Sequence, residues 1–159
     1  MALYFSYGSN MNQDNMDRFC DRIKRPRIDL ESRNPRRGKL KDYKLDFNYH
    51  SNRMGGGAGN LSPALGEIVE GIVYDMSEED FRTLDEKEGL PTAYRRIMVP
   101  ITLEDGSTLQ EVTTYIACDD RIVPFSPPTE AYKQDLIDGA RANGLSTAWI
   151  TMLESLPTQ

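Results

Sequence analysis

Two hydrophobic periods alternate along the chain. Leu3 to Tyr7 is a nearly continuous apolar and aromatic run, which predicts a buried strand. Gly8-Ser9-Asn10 breaks it. Met16, Phe19, Cys20 and Ile23 then recur at helical spacing and predict a helix that ends at Lys24-Arg25-Pro26. Arg27 to Lys41 is polar and reads as irregular. Lys44 to Tyr49 alternates, with Leu45, Phe47 and Tyr49 on one side, and predicts a half-buried strand. Ile68 to Met76 predicts a strand interrupted by Gly71, where a bulge or a close approach of another segment is expected.

Ser77 opens the next helix as its N-cap, with Asp80 three residues on and acids filling the first turn; Gly89 is its stop. Arg95–Leu103 and Leu109–Ala117 predict a hairpin turned at Glu104-Asp105-Gly106-Ser107. After the proline-rich Pro124–Pro128, Thr129 caps a helix carrying Tyr132, Leu136 and Ala140 on one stripe. Ser146 caps a last helix that turns Trp149, Met152, Leu153 and Leu156 inward. Hairpin-joined strands outnumber helices. The expected architecture is α+β, a small mixed β-barrel or strongly curved sheet flanked by helices, in one domain over residues 1–159.

Charge changes the picture in one place. The net charge of −6 argues against a nucleic-acid partner, yet ten of the 19 Lys and Arg lie between Arg22 and Lys44, against three acids. No aromatic residue interleaves them before Tyr43, so they read as a solvated face rather than a strand-binding groove. No apolar run is long enough for a membrane span and no signal peptide is visible. Cys20 and Cys118 are the only cysteines, and the default is a reducing cytoplasm. His50 is the only histidine. A Ser-His-Asp triad would rest wholly on it, and no metal-ligand spacing is evident.

The chemistry-bearing candidates are few. A strand, a tight small-residue turn and a helix, as in Tyr7-Gly8-Ser9-Asn10, point backbone N–H groups at one spot that can hold a carboxylate or an oxyanion. The alternative is a plain connection. Glu88 falls four residues after Leu84 and seven after Phe81, on the apolar side of its helix and in its last turn. Burial and the helix dipole both push such a carboxyl above its usual value of about 4.3, towards the range of a general acid–base. The alternatives are an ion pair with Arg95 or Arg96, or a fraying helix end. Asp85, Glu86 and Lys87 are expected mostly in solvent. Tyr132 is either core or cleft. Tyr94 and Tyr115, near strand ends, are further cleft candidates. Gly55-Gly56-Gly57-Ala58-Gly59 lacks the spacing of a nucleotide-binding loop.

Five blocks, in order, resemble the gamma-glutamylcyclotransferase family: Tyr4–Met11, Gly55–Asn60, Val69–Tyr74, Leu84–Gly89 and Pro127–Gly144. The resemblance implies a barrel and places the glycine-rich segment at a strand start beside the cleft. It implies catalysis by Glu88 and substrate contacts from Tyr4, Phe5, Ser6, Tyr7, Gly8, Ser9 and Tyr132. The implied reaction closes a gamma-glutamyl group into 5-oxoproline and frees an amino acid or amine, without cofactor or metal. The expected partner is therefore a small gamma-glutamyl molecule, with monomer or homodimer left open. Hydrolysis on the same scaffold, or a non-catalytic binding role, are the competing readings. The leaving group is expected to face Arg27–Lys41 and Ile122–Pro128, with gamma-glutamyl amino acids or amines favoured over glutathione.

Overall fold

Five strands, β1 (Ala2–Ser6), β2 (Arg36–Ser51), β3 (Gly56–Met76), β4 (Tyr94–Leu103) and β5 (Thr108–Ala117), close into a barrel. Their order is β1-β3-β2-β4-β5 in the computed structural model, which describes residues 1–159. All neighbours are antiparallel except at the closing seam, where Tyr4 of β1 meets Thr113 of β5 in parallel. The expected barrel is thus present and closed. Four helices, α1 (Gln13–Ile23), α2 (Glu78–Glu88), α3 (Glu130–Ala142) and α4 (Thr147–Glu154), flank it. One connected core joins Val69, Val73 and Ile101 of the strands to Met16, Leu84, Leu136 and Trp149 of the helices. No helix is long and apolar enough to cross a membrane.

One segment differs from the sequence reading. Arg27–Lys41 is not irregular throughout, because β2 starts at Arg36. Its inward positions here are Gly38 and Leu40, while Arg37, Lys39 and Lys41 point out. A glycine in the inward register hides the alternation. The glycine-rich segment opens a strand, as the resemblance implied: β3 begins at Gly56, and Gly56–Leu61 are all buried. A side chain would not fit there, since a Cβ on Gly57 would lie 1.8 Å from the Ser126 carbonyl oxygen.

β2 and β3 form a long curved hairpin whose tip is Asn52–Gly55. The pairing shifts register between Lys41 and Tyr43, where Asp42 takes a positive φ and its Oδ1 accepts a bond from the Gly66 amide at 2.9 Å. β4 has its own irregularity between Val99 and Ile101, where Pro100 has no N–H to give the ladder. Gly71 marks a close approach, as expected. A Cβ there would meet the Ser6 carbonyl at 2.3 Å and the Phe5 ring at 2.7 Å.

α2 forms where its capping signal predicts. Ser77 Oγ accepts from the Asp80 amide at 3.0 Å, and Asp80 Oδ2 accepts from the Ser77 amide at 3.0 Å. Gly89, at a φ of 70°, ends it. Asp80 also takes both ends of the Arg33 guanidinium, at 2.7 and 3.1 Å. The basic stretch is neutralised in the same way elsewhere: Arg25 meets Glu79, Arg27 meets Asp21, Arg36 meets Asp75 and Arg37 meets Glu104.

Candidate active site

The turn after β1 and the end of α2 face each other across a cleft of about 760 Å³. β1 delivers Tyr4, then Tyr7-Gly8, then a short 3-10 turn over Ser9–Met11. Neither the Tyr7 nor the Gly8 amide donates to an acceptor within the chain. Asn10 is buried, and its Nδ2 donates to Tyr4 Oη at 2.9 Å and to Glu88 Oε1 at 3.0 Å. The turn and the carboxylate are therefore joined directly.

Glu88 is half-buried in the cleft. Burial raises its pKa above the usual carboxyl value, and Lys87, the Asn10 bond and Arg53 offset only part of that rise. It forms no ion pair with Arg95 or Arg96. Arg96 instead holds Asp85 through two bonds, at 2.9 and 2.6 Å, and Tyr115 Oη donates to the same carboxylate at 2.7 Å. Asp85 is thus fixed as a structural anion, not a solvated one.

Gly59 of β3 is gripped by two tyrosines. Its amide donates to Tyr132 Oη at 3.0 Å, and its carbonyl accepts from Tyr94 Oη at 2.8 Å. Both rings line the cleft. Thr129, the N-cap of α3, positions Tyr132 by accepting its amide at 3.2 Å. Tyr7 Oη donates to the Tyr115 carbonyl at 2.6 Å, tying the turn to β5.

The structure brings Tyr4, Tyr7, Gly8, Ser9, Glu88 and Tyr132 together in one cleft. Phe5 and Ser6 do not line it. Phe5 is fully buried beside Gly71, and Ser6 is buried with no partner for its hydroxyl. β1 is paired on both sides, with β3 and with β5, and both side chains are covered by the surrounding structure. Lys87, expected in solvent, lines the cleft with Nζ 3.5 Å from Ser9 Oγ. Burial lowers its pKa to about 8, against the pull of Glu88 in the other direction. Arg22, Arg53 and Asp135 also line the cleft without having been singled out. His50 Nδ1 lies 2.9 Å from Ser126 Oγ at the rim, with no carboxylate on the ring. Of the two segments expected around the leaving group, neither lines this cleft. Arg27, Arg36 and Arg37 border a separate groove beside Tyr74 and Leu103.

The AIG2-like family profile matches residues 68–153, more than half of the chain, and the chain belongs to that family. Its enzyme class is that of the gamma-glutamylcyclotransferases. The mouse and human proteins of that name are each 29% identical to it over 97% of this chain and 78% of their own length. A solved structure named gamma-glutamyl cyclotransferase superposes with a TM-score of 0.81 at 26% identity, covering 99% of this chain and 89% of the other.

Proposed function

We propose that the protein closes the gamma-glutamyl group of a small amide into 5-oxoproline, with Glu88 as the proton carrier. The observation that carries this is the bond from Asn10 to Glu88, which ties a carboxyl of raised pKa to the turn whose Tyr7 and Gly8 amides have no internal acceptor. The mechanism needs little more. The cleft holds the gamma-glutamyl chain folded, so that its alpha-nitrogen lies near its own gamma-carbonyl carbon; fixing that geometry removes much of the entropic barrier.

The alpha-ammonium gives one proton to bulk water to become an amine, a proton that the freed amine regains from water on release. Its nitrogen then attacks the carbonyl carbon, forming the ring C–N bond while the carbonyl π pair moves to oxygen. The Tyr7 and Gly8 amides are the donors suited to that oxygen or to the substrate alpha-carboxylate. Glu88 takes the second proton from the attacking nitrogen and returns it to the leaving nitrogen as the old C–N bond breaks. A carboxyl pushed up by burial suits both transfers better than a fully solvated one. Lys87 supplies a nearby positive charge that keeps Glu88 from rising too far.

The test is Glu88→Gln with mass detection of 5-oxoproline. Loss of at least a hundredfold in kcat is expected, in the range of general acid–base contributions. Release at the parental rate overturns the role of Glu88. Free glutamate as the product would replace cyclisation by hydrolysis.

A further inference from the structure

Three cations line the mouth of the cleft and none has a carboxylate within salt-bridge distance, although Lys87 and Arg53 both act on Glu88 through space. Arg22 comes from the last turn of α1, Arg53 from the tip of the β2–β3 hairpin, and Lys87 from the last turn of α2. Arg22 and Lys87 share one platform: the Arg22 guanidinium lies 5.3 Å and Lys87 Nζ 5.8 Å from the centre of the Phe19 ring. Neither Arg22 nor Arg53 enters a salt bridge, whereas every arginine from Arg25 to Arg37 has an acidic partner. Burial is the main cause of the lowered pKa of Lys87 and of Arg53; the charge of Arg22 adds to both, and that of Arg53 adds to Lys87.

The acids nearby are already committed. Asp135 accepts from Asn15 and Arg18, each at 2.8 Å, and Glu86 meets Arg25 at 3.6 Å. Glu88 is held by Asn10 on the inner side. In a protein of net charge −6, three cations lining one cleft, with Arg22 and Arg53 exposed, concentrate anions there.

We infer that Arg22, Arg53 and Lys87 form a subsite for a leaving group carrying two carboxylates, so that acidic gamma-glutamyl dipeptides such as gamma-glutamyl-glutamate are preferred over neutral ones and over gamma-glutamylamines. The inference rests on the cyclisation reading above. The glutamyl half of any such substrate brings one ammonium and one carboxylate and needs no excess positive charge. A neutral amino acid as leaving group supplies one further carboxylate for three cations. A second carboxylate on that half matches the cluster, and Arg22 and Arg53, which line the cleft from separate elements, can each take one in forked geometry.

The experiment measures kcat/KM by 5-oxoproline release for gamma-glutamyl-glutamate, gamma-glutamyl-glutamine and gamma-glutamyl-butylamine, on the parent protein and on Arg22→Ala/Arg53→Ala. The parent is expected to favour the diacid over the glutamine isostere by about tenfold, the size of one or two partly exposed ion pairs. That preference should shrink as salt rises. The double variant should lose it through KM, and Arg22→Lys/Arg53→Lys should restore part of it. Equal parental turnover of the glutamate and glutamine substrates overturns the subsite while leaving cyclisation intact. So does an equal loss on all three substrates in the double variant. No 5-oxoproline from any of them overturns the cyclisation reading, and the subsite with it.

Discussion

Asn10 Nδ2 lies 3.0 Å from Glu88 Oε1 and donates to it, although the two residues are 78 positions apart in sequence. The same nitrogen reaches Tyr4 Oη. A bond donated to the charged carboxylate favours ionisation, so its removal should raise the Glu88 pKa further. Asn10→Ala is expected to lower kcat about tenfold or more, as for loss of a hydrogen bond to a charged group. The acidic limb of the kcat/KM profile should move to higher pH. A variant with unchanged pH profile would show that Asn10 does not tune Glu88.

Glu88→Gln should also change stability, with a definite sign. The folded pKa of Glu88 lies above its unfolded value, so the fold disfavours the ionised form. The native state of the parent is therefore penalised as pH rises from the unfolded pKa through the folded one, and relieved below both. Glu88→Gln is expected to melt higher than the parent at neutral pH, with the gain vanishing as the pH falls below the ordinary carboxyl range. Thermal melts across pH check this; a gain that grows in acid would contradict it.

Asp80 behaves in the opposite way. Burial raises its pKa, but the Arg33 bonds and the Ser77 contacts outweigh that and leave it lowered. Its stabilisation is present above the unfolded carboxyl pKa and is lost as pH falls through the folded value. Asp80→Ala removes both the capping box and the partner of Arg33. A loss of about 2–3 kcal/mol is expected in urea denaturation at neutral pH, smaller in strong acid.

Tyr94 and Tyr132 hold one residue from both sides, binding the two peptide units that flank the Gly59 Cα. Tyr94→Phe and Tyr132→Phe should each cost about 1 kcal/mol. Because the contacts share a partner, the double variant should depart from additivity by about 0.5 kcal/mol or more. Strict additivity would mean that the two hydroxyls do not work through a common strand segment.

Gly71→Ala tests the wall behind the turn. Its Cβ would press on the Ser6 carbonyl, one residue before Tyr7. The strain should cost roughly 1–3 kcal/mol and shift the β1 end that carries the turn. Urea denaturation at an unchanged midpoint would count against this packing.

The part of the site that the sequence disclosed was the part with local grammar. The Ser77 and Asp80 cap fixed where α2 begins, and from there the spacing of Phe81, Leu84 and Glu88 fixed which side the carboxyl takes. Lys87 escaped the same logic. One step from Glu88 on a helix is a turn of about 100°, which reads as solvent-facing, and only the position of Phe19 and Ser9 shows that the long stem folds back. Tyr94 and Tyr115 looked alike in sequence. Their hydroxyls go to Gly59 and Asp85, a division set by which neighbour each strand meets in three dimensions.

The expected leaving-group side failed for a related reason. Arg27–Lys41 is rich in cations, but nearly all its arginines find acids on neighbouring elements, so density of charge along the chain was a poor guide to free charge in space. The unpaired arginines flank that stretch or lie far from it. The first half of β2 was missed because Gly38 occupies an inward position that a pattern search expects to be apolar.

Arg53 rides on the bend between the two longest strands, while Glu88 belongs to a helix anchored by its own cap. Under the proposed subsite, Arg53 reads the cargo from a piece of chain separate from the helix that carries both Lys87 and the proposed ring-closing carboxyl. Drift at the hairpin bend would then exchange one cargo for another without touching that helix.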